Sequence, residues 1–165
     1  MVAMIIRLLA GLYGSQRLRT AAVPVQDSGL QQVLTRIGQR LRLQVLPVVA
    51  YSARVTSPLV VGVVKPAILL PVAILNQLTT EQVESLLLHE LAHIRRYDHW
   101  VNLLQRMIET VLFFHPAVWW MSHRISVERE HCCDDLAIRW GSERCDYAET
   151  LVRLSEIRSL SLIHI

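Results

Sequence analysis

Two histidines four residues apart enclose a glutamate in the run His89-Glu90-Leu91-Ala92-His93. On a helix, positions i and i+4 share one face. Both imidazoles can therefore reach a single metal ion. Glu90 lies one residue round from His89, placed to contact a water on the metal rather than the metal itself. The pattern suits a zinc peptidase, in which the metal acidifies that water and Glu90 accepts its proton during attack on a peptide carbonyl. A random match at this composition is expected roughly 0.02 times, so the surroundings must support the motif. They do: Val83, Leu86, Leu87, Leu88, Leu91, Ala92 and Ile94 make the segment otherwise apolar. Two imidazoles and a carboxylate would be costly there without partners. The plainer alternative is a pair of histidines satisfied by ordinary surface or core contacts.

A catalytic zinc site needs a third protein ligand and an open position. The downstream segment SVEREHCCDDLAIRW offers Glu128, Glu130, His131, Cys132, Cys133, Asp134 and Asp135. Glu130 and Asp134 share one helical face, which Cys133, Ala137 and Ile138 extend towards the core; Glu128 and Asp135 point elsewhere. Glu130 is thus the expected ligand, and Asp134 the expected hydrogen-bond partner of a ligand histidine. Cys132 or Cys133 as a ligand would make a Cys/His site of the structural kind. A small buried thiol is the bland reading of Cys133.

The elements that must position these residues read as follows. Residues 1–19 form a membrane-proximal or partial transmembrane helix, since the apolar run is broken at Arg7, Gly11 and Gly14 and is shorter than the ~20 residues that span a bilayer. Residues 20–43 comprise a linker, Thr20 to Ser28, and a helix capped by Asp27 or Ser28. Residues 44–160 form the metallopeptidase domain, and residues 161–165 read as a truncation tail. Within the domain, residues 44–52 are β-like. Two β-branched runs flank Lys65-Pro66 as a hairpin, with Pro58, Pro66 and Pro71 confining the strands to an edge or to short length. Thr79 and Gln82 form a capping box for the motif helix. Asp98 is read as the cap of the next helix, about His99 to Phe114, which His115-Pro116 ends. A further helix spans about Ala117 to Trp140, stopped by Gly141, and a last one about Glu143 to Ser159. The fold class is α+β and mainly helical, with four or five helices and a short β-hairpin.

Hydrophobic residues make up 52% of the 165 and charged residues only 19%, below the usual quarter. Mean hydropathy is positive. Part of the surface is therefore expected against lipid. Trp100, Trp119 and Trp120 fit a membrane interface or, equally, a core. Asn102, Arg106 and Glu109 form a polar stripe on one helix, which argues against a lone lipid-spanning segment. A formal charge of +3 gives no reason to expect direct nucleic-acid binding. Three cysteines, two of them adjacent, cannot make a disulfide framework, which favours a reducing, cytoplasm-facing setting.

HELAHIRRYDH followed by FHPAVWW and then EREHCCDD, with SPLVVGVVKPAILLP upstream, resembles the BlaR/MecR-type membrane metallopeptidases. More distantly the arrangement resembles the HtpX-like membrane proteases. The resemblance covers roughly residues 50–140. It implies a zincin-like (gluzincin) core at the cell membrane with its active site facing the cytoplasm. It implies Zn2+ as cofactor, His89, His93 and Glu130 as ligands, Glu90 as catalytic acid/base, and Asp134 as the acidic residue after the glutamate ligand. The implied substrate is a cytoplasmic regulatory protein such as a transcriptional repressor, and membrane lipid is the second partner. Sensor members also carry a large penicillin-binding domain, which nothing in these residues resembles, so the resemblance does not extend to antibiotic sensing. A non-catalytic membrane signalling or scaffold module that keeps a structural metal is the alternative. The stabiliser of the developing negative charge is left open among His115, His123, Tyr147 and Arg124. The strand near Val60 to Val64 or Ala67 to Leu70 either binds substrate as an added strand or merely covers the core.

Overall fold

The structure is a computed structural model that describes residues 2–62, 64–72, 77–140 and 148–152. At its centre is a strand, Ala67–Pro71, whose five residues are all buried. AILLP offers solvent no polar side chain, and a strand covered on both faces reads as such a continuous apolar run. In chain order the strands are β1 (Val23–Pro24), β2 (Val48–Ser52), β3 (Leu59–Val61) and β4 (Ala67–Pro71). Their spatial order is β1-β2-β4-β3. β4 runs parallel to β2 and antiparallel to β3, and β1 is antiparallel to β2.

The hairpin expected around Lys65-Pro66 is the β3–β4 pair, inside a larger mixed sheet. Gly62 turns the chain out of β3 with φ +90, where a Cβ would meet the Lys65 carbonyl at 2.8 Å. Only glycine fits that backbone without strain. The prolines fit both expected outcomes: β3, after Pro58, is a three-residue edge strand, while Pro66 and Pro71 bracket β4, which is central and short at five residues. The stretch from Thr20 to Ser28 is more than a linker. Helix α1 (Val2–Ala21) reaches into it, Val23-Pro24 forms β1, and the Val25 N–H donates to the Val49 carbonyl at 3.0 Å. A two-residue edge strand ending in proline carries no alternation to read; its partner strand defines it.

Alternation along β4 splits the core in two. Ile68 and Leu70, with Val49, face α2 (Ser28–Arg40) and α3 (Thr80–Arg95), which contribute Leu34, Ile37, Leu87, Leu91 and Ile94. Leu69 and Ala67, with Ala50 and Val61, face the other way, where Leu18 of α1 packs. Leu87 and Leu91 are fully buried, and each such burial contributes about 2 kcal/mol. Anchoring that side of α3 to the sheet turns His89 and His93, half a turn round, away from it.

Local signals set the helix ends. Asp27 caps α2 by accepting from the Gly29 N–H at 2.9 Å. The capping box of α3 is complete, Thr79 accepting from the Gln82 N–H and Gln82 from the Thr79 N–H. Asp98, however, does not cap the next helix. It is the first residue of α4 (Asp98–Val111), whose cap position is Tyr97, without a side-chain cap bond. The preceding Tyr97 adopts a left-handed conformation, φ 58 and ψ 32, which reverses the chain in one residue and swings Asp98 back over the last turns of α3. Helix α5 (Pro116–Trp140) starts with proline at its first position, where no N–H is needed. It returns antiparallel to α4 and packs on α3. Residues 148–152 are helical; Gly141 and the rest of the helix expected over Glu143 to Ser159 lie outside the described residues.

The α4–α5 hairpin keeps a broad apolar face exposed, including Leu104, Met107, Val111, Phe114, Trp120 and Met121. Trp100, Trp119 and Trp120 all lie on this surface and not in the core. No helix among the described residues is long and apolar enough to cross a membrane.

Candidate metal centre

Helices α3 and α5 bring three ligand atoms together. His89 Nε2 and His93 Nε2 lie 3.1 Å apart, and each is 3.6 Å from Glu130 Oε2. Ligands about 2.0–2.1 Å from a tetrahedral zinc stand roughly 3.3 Å from one another. The three atoms therefore fit such an ion as they stand. The donor set is equally apt, because two imidazole nitrogens and a carboxylate are what zinc takes when one position stays open. Of the carboxylates weighed in the α5 segment, Glu128 is exposed and pairs with Arg124 one turn back at 3.7 Å, and Asp135 is exposed.

Each histidine is held from behind. His89 Nδ1 lies 3.1 Å from Asp134 Oδ1, the contact expected from the helical spacing. His93 Nδ1 donates to Asp98 Oδ2 at 2.8 Å, a contact the sequence reading missed by treating Asp98 as a cap. Asp98 is buried and also faces the Arg96 guanidinium at 3.6 Å. Cys133 is fully buried, its sulfur 3.3 Å from His93 Nδ1 and 3.4 Å from Asp98 Oδ2. His93, Asp98 and Cys133 thus form a second tight group, but on the Nδ1 side of the ring. Cys133 supports the ring there and stands apart from the three converging ligand atoms. Fixing Nδ1–H on a carboxylate leaves Nε2 as the ligand atom, which sets the tautomer.

The electrostatics follow from these contacts. The histidines beside Glu130 hold its carboxyl well below the usual range, His89 first and His93 second, against a smaller effect of burial. Burial disfavours the charged form of His93, but Cys133, Glu130 and Asp98 outweigh it, and the ring is pushed up to about 11. Burial pushes Glu90 up, opposed by the nearby His89 and His93 and reinforced by Glu130. A carboxyl held above its normal range by burial beside two imidazoles is suited to exchanging protons. Burial also raises the Cys133 thiol.

His89, Glu90, His93, Asp98 and Glu130 line a cavity of about 830 Å3. One wall is β3 with Pro58 and Gly62, and α1 contributes Gly11, Gly14, Ser15 and Leu18. The opposite side is α4 and α5. β3 is an edge strand, so its outer backbone groups are placed along the cavity. Of the four residues weighed for the developing negative charge, His115, His123 and Arg124 do not line this cavity, and Tyr147 lies outside the described residues. His99 and Arg129 do line it; neither was singled out by motif or spacing.

The chain matches the family model described as BlaR1 peptidase M56 over residues 1–163. It is similar to the regulatory protein BlaR1 of Bacillus licheniformis, 25% identical over 158 residues, which is 93% of this chain and 26% of that protein. It is also similar to the methicillin resistance mecR1 protein of Staphylococcus aureus, 28% identical over 113 residues, 67% of this chain and 19% of that protein. The same figures hold for the mecR1 protein of Staphylococcus epidermidis. The chain therefore spans about a quarter or less of the length of these relatives.

Proposed function

The chain belongs to the BlaR1 peptidase M56 family, and on that premise we propose that it is a zinc-dependent endopeptidase acting at the cytoplasmic face of a cell membrane. One observation carries the reading. Three ligand atoms from two distant stretches stand 3.1–3.6 Å apart with a buried glutamate beside them. His89, His93 and Glu130 would hold the zinc. Bound there, zinc supplies Lewis acidity, lowering the pKa of a water and polarising a carbonyl. Glu90 takes the proton of the attacking water and returns it to the leaving amide nitrogen. Burial raises its pKa, which suits it to exchange protons with that water. Asp98 and Asp134 keep the two rings in register with the site.

β3 supports the choice of a peptide substrate, since an extended chain can add to its outer edge, which pairs with no further strand among the described residues, and run past the metal ligands. The substrate we infer is a cytoplasmic regulatory protein, a transcriptional repressor being the type the resemblance suggests. The exposed apolar face of α4–α5 supports contact with lipid.

The test compares wild type with Glu90→Gln and Glu130→Ala, measuring zinc content and peptide cleavage. Wild type and Glu90→Gln should each hold about one zinc, with cleavage down at least about 100-fold in Glu90→Gln. Glu130→Ala should lose the metal. Full cleavage by Glu90→Gln would refute the assignment, and full zinc in Glu130→Ala would remove the third ligand.

A further inference from the structure

The cavity continues past the metal ligands. Asp98, Asn102, Arg106 and Glu109 recur at three- or four-residue spacing on α4 and all line it. One face of α4, about 17 Å long at 1.5 Å per residue, thus forms its floor. Arg129 and Trp119 of α5 stand opposite.

A polar network joins the two helices. Gln105 is buried and donates from Nε2 to the Ser122 carbonyl at 2.9 Å and to its hydroxyl at 2.8 Å. The Ser122 hydroxyl donates to Glu109, which also pairs with Arg106 at 2.8 Å. With its amide protons committed, Gln105 offers only Oε1, and this oxygen accepts from Arg129 Nη1 at 3.3 Å. The network neutralises Arg106 but not Arg129. Among the described residues no carboxylate pairs with Arg129, although it lines the same cavity as His89, His93 and Glu130. A guanidinium carries five N–H donors in a fixed fork. Gln105 holds one of them and so orients the rest.

We propose that Arg129 is an anion subsite of the cleft, taking a carboxylate of the bound peptide beside the metal ligands. That carboxylate is either an Asp or Glu side chain or a C-terminal carboxylate. The proposal rests on the peptidase reading above and adds a specificity to it. Bidentate pairing of guanidinium with carboxylate, in a cleft that excludes part of the solvent, discriminates against an uncharged isostere.

The test uses the zinc-loaded chain carrying Glu90→Gln, which binds peptides without cutting them. Labelled hexapeptides of one parent sequence carry Glu or Gln at successive positions, each with a free or an amidated C-terminus. Affinities are read by fluorescence anisotropy. At one position the Glu peptide should bind about tenfold more tightly than its Gln twin. If the carboxylate is terminal, the free acid should instead outbind the amide by that factor. Adding Arg129→Gln should bring the ratio to about one. Arg129→Lys should keep part of it, because charge survives and the fork does not. Equal binding of all twins, or a preference that persists in Arg129→Gln, overturns the proposal. So does a uniform loss of wild-type cleavage on Arg129→Gln with the affinity ratios unchanged, which would make Arg129 a stabiliser of the reacting oxygen. Failure of the wild-type chain to cleave any of the peptides would count against the peptidase reading alone, since the ratios are measured without turnover.

Discussion

Replacing Asp98 removes the carboxylate that holds His93 Nδ1 without touching any of the three residues proposed to hold zinc. Its carboxylate is 7% exposed and accepts from His93 Nδ1 at 2.8 Å. A charge-assisted hydrogen bond of this kind is worth about 1.5–3 kcal/mol, and each 1.4 kcal/mol is about a factor of ten in binding. Zinc affinity should therefore fall about tenfold in Asp98→Asn, which keeps an acceptor oxygen but loses the charge. It should fall about 100-fold in Asp98→Ala, which loses both, within the range for such supporting carboxylates. The matching contact at His89 is weaker on two counts. Asp134 lies 3.1 Å from Nδ1 and its side chain is 32% exposed, so water replaces part of what it gives. Asp134→Ala should cost only a few-fold. The assay is competition for zinc against a chromophoric chelator at pH 7.5, with circular dichroism to confirm the fold. Folded Asp98→Ala that binds zinc within twofold of wild type would refute the reasoning, as would a larger loss in Asp134→Ala.

Because His93 is pushed up to about 11, its metal-free ring is protonated on both nitrogens from pH 6 to 8, and zinc must displace the Nε2 proton. A raised pKa favours the protonated ring at every pH below it, so zinc affinity should rise with pH, about tenfold per unit; calorimetry in buffers of different ionisation enthalpy should find about one proton released, and a pH-independent affinity would refute this. Lipid contact through the α4–α5 hairpin predicts that the chain floats with vesicles, and that Phe114→Ser with Trp120→Ser, both highly exposed, weakens partitioning on the order of 100-fold. Unchanged flotation of the double variant would place the contact elsewhere.

The sequence made the site's ligand geometry legible and left much of its support hidden. That His89 and His93 share one helical face, and Glu130 and Asp134 another, follows from their spacing, and the caps at Asp27 and Thr79 are written in local residues. Asp98 was misread because a single left-handed tyrosine decides where it points, and Tyr97 has no sequence signature of the kind glycine gives. β1 was missed because it consists of two residues. The parallel pairing of β2 with β4 was missed because the residues between them also build a hairpin. Arg129 escaped because its role depends on what faces it from α4.

The facing of α4 and α5 also accounts for Arg106 and Glu109 of the polar stripe. Glu130 must arrive at His89 and His93 from a helix that leaves the site along α4 and comes back along α5. Tight reversals at Tyr97 and before Pro116 limit the path, but they do not fix the register of two long apolar helices. Gln105 does, by binding both the carbonyl and the hydroxyl of Ser122, and Glu109 does, by accepting from that hydroxyl while paired with Arg106. Sliding α5 by one turn, about 5.4 Å, would break the bonds to Ser122 and strip the buried Gln105 amide and one Glu109 oxygen of their partners, a cost of a few kcal/mol. The same slide would carry the Glu130 carboxylate out of reach of both imidazoles. Gln105 and Glu109 of α4, acting through Ser122, therefore set the register that keeps the Glu130 carboxylate beside both imidazoles.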